Sequence, residues 1–409
     1  PAWPYAHPAY DVVRQAAQAI SDEFAPRSGS YLEIWQDGES VHAQGPADEP
    51  IYGETYLPRK FKIAVTAPGD NSVDLYTNDV GIVPVFAADG ELVAYDLTAG
   101  GGLGRTHGKT TTYPRLAEHL GSVAPDRLLD AVRAIVLVQR DWGDRTDRRH
   151  ARLKYLIADR GLAWFRAEVE RVAGFGLGEW RELPAWEDVP RFGWHAQGDN
   201  RWFLGLHVAS GRVRDDGPRR LKSALRALAD AGYDLVATPG QQVLVVDVAA
   251  DARDAVDAVL RAHGVDAPES VSALRRRALA CPAMPTCGLA LAESERVIPE
   301  LLDAIEAELA VAGLAGESIT MRMTGCPNGC ARPYMAEIGI VGQSPDRYQV
   351  YLGGDPASTR LATLWREKVR LAEIAPLLAP LFAGFAGSRR DGEPFGDWCA
   401  REISAAVPA

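Results

Sequence analysis

The first 280 of the 409 residues contain no cysteine. Lysine is nearly as scarce: six positions (60, 62, 109, 154, 222 and 368) among 44 basic residues, the others all arginine. No uninterrupted apolar run reaches the roughly 18 residues that a membrane helix needs, so no membrane contact is expected. No basic start leading into an apolar core marks a secretory leader. The eight histidines never pair at helical spacing, which disfavours a zinc-hydrolase helix. Positive charge is outweighed, with a net −11 at pH 7, and no nucleic-acid partner is expected. Pro1 stands where a natural start would have Met, so the chain is expected to be truncated at its N-terminus. What is present is ordinary: 47% apolar and 24% charged residues, enough for real cores in two or three domains at roughly 150 residues each.

The cysteines are Cys281, Cys287, Cys326, Cys330 and Cys399. An odd number, clustered late, is not a disulfide framework. The words are Cys281-Pro-Ala-Met-Pro-Thr-Cys287 and Thr324-Gly-Cys326-Pro-Asn-Gly-Cys330. Pro and Gly between thiols bend the backbone, aim sulfur inward and free amides to donate to it. That suits iron–sulfur ligation by four thiolates. Structural zinc prefers shorter spacers, and it stays open here beside a set of buried structural thiols. Cys399, in a polar C-terminal segment, reads as a bystander. Free thiols point to a reducing, cytoplasmic location.

Lysine scarcity makes Tyr56-Leu-Pro-Arg59-Lys60-Phe-Lys62 conspicuous. On a strand Lys60 and Lys62 share one face, with Arg59 joining from the preceding loop. Three cations there suit a small oxyanion or carboxylates, and lysine, unlike arginine, can deliver a proton. A solvated edge strand is the plainer reading. The basic run from Arg140 to Lys154 reads mainly as solvated helix faces with local ion pairs, with a cofactor-carboxylate or donor-protein contact as the alternative. Gly100-Gly101-Gly102-Leu-Gly104 fails the dinucleotide pattern but permits close backbone approach to an anion.

Helices are expected over 10–24, 126–138, 161–172, 221–231 and 252–263, and strands at 62–66, 80–85, 92–95, 202–208 and 242–248, with strand-like material beginning at Tyr31. Residues 192–268 read as a β-α-β-α unit of ferredoxin-like kind. An internal repeat flanks it. Lys62–Thr66, Thr77–Val83, Glu91–Leu97 and Gly100-Gly101 match Ile319–Thr324, Met335–Val341, Tyr348–Leu352 and Gly353-Gly354.

Taken with Gln139-Arg-Asp-Trp-Gly143 and Ala336-Glu-Ile-Gly-Ile-Val-Gly342, these words resemble the sirohaem sulfite/nitrite reductase family, in its assimilatory sulfite-reducing branch. The resemblance implies an α+β fold. Two duplicated repeats with mixed sheets, 1–190 and 269–409, would enclose half of a ferredoxin-like (parachute) domain, 191–268. It implies that Cys281, Cys287, Cys326 and Cys330 hold a 4Fe–4S cluster, with Cys330 shared with sirohaem iron. Arg59, Lys60 and Lys62 would face sirohaem carboxylates, and Lys60 and Lys62 would bind sulfite and supply protons. Gly100, Gly101, Gly102, Gln241, Ala280, Ala290 and Asn328 would contact sirohaem. The implied activity is six-electron reduction of sulfite to sulfide in sulfur assimilation, toward cysteine biosynthesis. Electrons would come from ferredoxin or from an NADPH-flavoprotein subunit. Similar nitrite reductases tend to carry Asn at the position of Lys62, which favours sulfite. Nitrite reduction and a non-catalytic iron–sulfur fragment are the alternatives. Family members carry a further N-terminal segment that supplies the other half-domain and more arginines.

Overall fold

Buried Ala9, Val13, Ala16 and Ile20 recur at helical spacing along the first helix, Pro8–Phe24. Its start is set by a proline in the first turn and by His7, whose ring accepts the Ala9 N–H at 3.1 Å. A computed structural model describes residues 1–27, 33–43 and 49–403. Tyr31 and Leu32 lie outside these residues; the expected strand is described over Glu33–Gln36.

The first repeat builds a sheet in the order Ile63–Val65, Val80–Phe86, Leu92–Ala99, Glu118–Val123. The first pairing is parallel and the next two antiparallel. Val80–Phe86 is buried on nearly its whole length, as its unbroken apolar sequence requires. Helices Leu128–Trp142 and Leu162–Ala173 cover the sheet through Ile135, Val138, Phe165 and Val169.

The second repeat orders Met321–Thr324, Ile338–Ser344, Arg347–Leu352 and Thr363–Val369 in the same way, with one further parallel strand, Ala278–Ala280, at its edge. Local detail repeats too. Asp74 and Arg332 are both left-handed, with φ of 48° and 58°, before the turns Leu75–Thr77 and Pro333–Met335. Asp79 and Glu337 follow as buried acids. Gly100 and Gly353 both have φ of +90°, a conformation that favours glycine. The duplication read from sequence is thus a duplication of topology.

The central unit is a four-stranded antiparallel sheet, ordered Asp234–Ala237, Val243–Ala249, Arg201–Leu206, Gly193–Ala196. Helices Leu221–Asp230 and Arg253–Ala262 bury Leu225, Leu228, Val256 and Leu260 against it. The β-α-β-α reading captured the inner strands and missed the edges. Asp234–Ala237 is mostly exposed, so it carries little apolar signal.

Two expectations need correction. Helix Leu371–Ser388 is long and apolar enough to cross a membrane by length and composition. Its Ile374, Leu378, Phe382 and Phe385 are fully buried in the core of the second repeat, while 28% of the span is buried in all, so one face of the helix belongs to that core. Each such side chain contributes roughly 1.5–3 kcal/mol by leaving water. Cys399 is likewise not in a polar tail: it is 1% exposed in helix Phe395–Glu402, against the same core.

Candidate functional site

The two cysteine words meet because strands Ala278–Ala280 and Met321–Thr324 are parallel neighbours whose C-terminal ends release both loops on one side. The Cys281 N–H donates to the Met323 carbonyl at 3.1 Å, which continues the ladder into the site. The Gly325 N–H donates to Cys281 Sγ at 3.3 Å. The Asn328 backbone N–H acts on the Cys326 sulfur to favour its anionic form. These are the freed amides expected of Pro- and Gly-containing thiol loops, and they favour anionic sulfur. Burial raises the Cys326 and Cys330 thiols above the ordinary range, with repulsion among the four sulfurs adding to it. Cys281 and Cys326 are buried, Cys287 is half-buried and Cys330 is exposed.

Cys330 faces the cationic words of the first repeat. Lys60 and Lys62 both act on its thiol electrostatically. They lie in the extended lead-in just before strand Ile63–Val65, not on the strand itself. Lys62 is fixed through its backbone, whose N–H donates to Asp79 Oδ2 at 2.9 Å. The same buried carboxylate binds Arg152, at 3.2 Å from Nε and 2.7 Å from a terminal nitrogen. Partial desolvation, then repulsion from Lys60 and Arg152, holds the Lys62 ammonium below the usual lysine value. Desolvation, then Arg148 and Arg152, lowers Arg59 in the same way. Arg59, Lys60, Lys62, Arg148 and Arg152 therefore crowd one wall, with Asp79 as the buried counter-charge.

The glycine loop closes the wall. The Gly100 N–H donates to the Asp79 backbone oxygen at 2.9 Å. A side chain at Gly101 would strike the backbone oxygens of Tyr76 and Asn78. Lys154, 1% exposed, donates to the carbonyls of Gly102 and Gly104 at 3.0 Å each and to that of Tyr113. Its ammonium stands 4.8 Å from the Tyr155 ring centre. Burial, then Arg152, pushes its pKa down to about 7. Beyond the glycines, the Arg105 N–H donates to the Pro327 carbonyl at 3.0 Å, inside the second cysteine word. The two repeats thus contribute adjoining loops.

Gln241, left-handed at φ 61°, binds Ala280 in both directions: its amide donates to the Ala280 carbonyl at 2.7 Å and accepts the Ala280 N–H at 3.2 Å. It thereby braces the residue before Cys281. The Ala290 N–H donates to the Cys287 carbonyl at 3.1 Å. Asn328 is exposed between the two thiols of its loop.

Sequence reasoning missed Asp79, Arg148, Arg152 and Lys154. Much of the basic run is solvent-exposed and locally ion-paired as expected, Arg140 with Asp141 at 2.7 Å and Arg149 with Asp147 at 2.9 Å, but it is not a helix face. Between helices Leu128–Trp142 and Leu153–Arg160 it is largely loop, and it turns Arg152 and Lys154 inward. Arg140 and Arg145 instead donate to the carbonyls of Ile51 and Tyr56, at 2.7 Å each. Lysine scarcity was the available signal for Lys154.

The donor set can be tested for fit. Among the described residues no three Cys, His, Asp or Glu side chains converge as a single ion requires. The four thiols nonetheless lie within electrostatic reach of one another. Four thiols in one another's reach, with an amide donating to sulfur, fit a polynuclear cluster. The cationic wall fits a carboxylate-rich macrocycle.

The "Nitrite and sulphite reductase 4Fe-4S domain" matches residues 15–175, within the first repeat. The "Sulfite reductase (ferredoxin)" of Synechococcus elongatus is 48% identical over 412 residues, 96% of this chain and 66% of that protein. The "Sulfite reductase (NADPH) hemoprotein beta-component" of Myxococcus xanthus is 44% identical over 401 residues, 98% of this chain and 71% of that one. The structure of the Mycobacterium tuberculosis NirA protein superposes with a TM-score of 0.71 at 27% identity, covering 95% of this chain and 67% of that one. The chain spans about two thirds of the length of these curated relatives.

Proposed function

Because this chain belongs to the nitrite and sulfite reductase family, whose cofactors are sirohaem and a 4Fe–4S cluster, we propose that it reduces sulfite to sulfide, taking up six electrons and eight protons and releasing three waters. The observation that carries this reading is the lysine pair beside Cys330: an anion-binding wall from one repeat against a thiol site from the other.

Cys281, Cys287, Cys326 and Cys330 are the residues we assign to the cluster, and Cys330 to the position shared with sirohaem. Arg59, Arg148 and Arg152 neutralise carboxylates of the macrocycle. Gly100, Gly101 and Gly102 give it close backbone approach, with Asn328, Ala290 and the Gln241–Ala280 brace around it. When bound, the coupled iron centres supply electrons to the substrate's sulfur. Lys60 and Lys62 bind sulfite oxygens, and their ammonium protons pass to oxygen as each leaves as water. Asp79 keeps Lys62 and Arg152 in place, so the wall needs no reorganisation during turnover.

The units we assign are 1–190, 191–268 and 269–409. The relatives carry both ferredoxin and NADPH in their names, which supports a separate electron-donor protein of either kind. Thiol ligation supports a cytoplasmic location. The test is anaerobic turnover of the cofactor-loaded chain with a chemical reductant, comparing kcat/KM for sulfite and nitrite. A clear preference for sulfite supports the reading; a preference for nitrite, or no turnover of either by fully loaded protein, overturns it.

A further inference from the structure

We propose that the chain holds a second, redox-silent anion site: a small oxyanion of the sulfate type, seated between the two repeats at the counterpart of the lysine–thiol pocket.

The repeat geometry locates it. The Lys62 N–H donates to Asp79, and the Thr320 N–H donates to Glu337 at 2.7 Å, so Thr320 stands where Lys62 does. Counting back from Asp74 and Arg332, Ser72 stands where Cys330 does. Ser72 and Thr320 line one cavity of about 40 Å³, together with Arg276, Arg277, Arg322 and Arg332. At roughly 10–15 Å³ per water-sized position, that encloses about three of a tetrahedral ion's four oxygens, and the cavity is open to solvent on its remaining side.

Two observations point to a ligand. The Ser72 hydroxyl and Arg322 Nε are buried without a hydrogen-bond partner among the described residues, on side chains only 8% and 2% exposed. Leaving such donors unmet is destabilising, and an anion would satisfy both. The charge is also unbalanced. Arg322 pairs with Asp74 at 3.3 Å and Asp188 at 3.1 Å, and Arg332 pairs with the same Asp74. Arg277 donates to the Pro356 carbonyl at 2.8 Å, and neither it nor Arg276 makes an ion pair among the described residues. Four guanidinium groups thus face three carboxylates, Asp74, Asp188 and Glu337, the last acting on Arg277, and Asp188 itself lines the cavity, which leaves a surplus of one positive charge. The free Ser72 hydroxyl with surplus arginine binds an oxyanion, while Thr320 spends its own hydroxyl on Glu337 at 3.1 Å; without a thiolate or an ammonium the site does no reductive chemistry. The bound ion would hold Ser72 of one repeat against Arg322 of the other.

Crystals of the chain soaked in selenate test this, because selenium scatters anomalously. The expected peak lies within hydrogen-bond reach of Ser72 and Arg322. Peaks only beside Lys60 and Lys62, or water or protein atoms filling the cavity, overturn the proposal. In solution, sulfate should raise the melting temperature above chloride at equal ionic strength. Ser72→Ala and Arg276→Gln should each weaken that effect, with apparent affinity falling about tenfold, whereas Lys62→Asn should keep it. An undiminished sulfate effect in both variants also overturns the proposal.

Discussion

Asp79 accepts the backbone N–H of Lys62 at 2.9 Å, and this one bond ties the reactive edge of the first repeat to its buried core. The same carboxylate holds Arg152, and its main chain holds Gly100. One acid therefore sets the lysine pair, an arginine and the glycine loop. Asp79→Asn keeps the shape but leaves the Arg152 guanidinium without its counter-charge. The expected loss is about 3 kcal/mol of folding stability, read by denaturant unfolding, with a raised KM for sulfite.

Lys62→Asn should lower sulfite turnover by about 10²-fold, the scale of losing one preorganised oxyanion donor. Iron content should not change, since the side chain is no thiol ligand. Unchanged turnover would remove Lys62 from the site.

The cysteines divide four to one. Serine at Cys281, Cys287, Cys326 or Cys330 should each abolish normal cluster content, measured as iron and acid-labile sulfide per chain. Cys399→Ala should keep full iron content and cost about 1 kcal/mol, because that side chain only fills the core near Phe395 and Trp398.

Lys154 carries a pH signature. Its folded pKa of about 7 lies below the roughly 10.4 of an unfolded lysine. Between those values the unfolded chain binds the extra proton, so this residue makes stability rise with pH across that window. Lys154→Met should flatten that rise. It should also cost roughly 2 kcal/mol, because the carbonyls of Gly102, Gly104 and Tyr113 lose their donor. Urea unfolding at pH 7 and pH 9.5 reads both effects.

The thiol words and the lysine pair were legible in the sequence because their chemistry is local: unusual residues at short spacing. The repeat was legible because both copies keep β-rich runs and paired glycines in one order. Arg152 and Lys154 were not, because the direction of a loop and of the helix turn that follows it depends on what they pack against, and nothing in a run of basic residues says which ones turn inward. Strand Asp234–Ala237 escaped notice for a related reason, being held by pairing with Val243–Ala249 rather than by burial. Helix Leu371–Ser388 shows the opposite failure. Its apolar content is plain, yet only tertiary packing shows that one of its faces belongs to the core of the second repeat.

The most direct test is product accounting. Anaerobic, cofactor-loaded chain is given sulfite and a titrated chemical reductant, and sulfide is counted against electrons consumed. The account predicts one sulfide for every six electrons, with the yield falling sharply in Lys62→Asn. Fully loaded protein that consumes reductant without forming sulfide, or a Lys62→Asn variant equal to the parent, would contradict it.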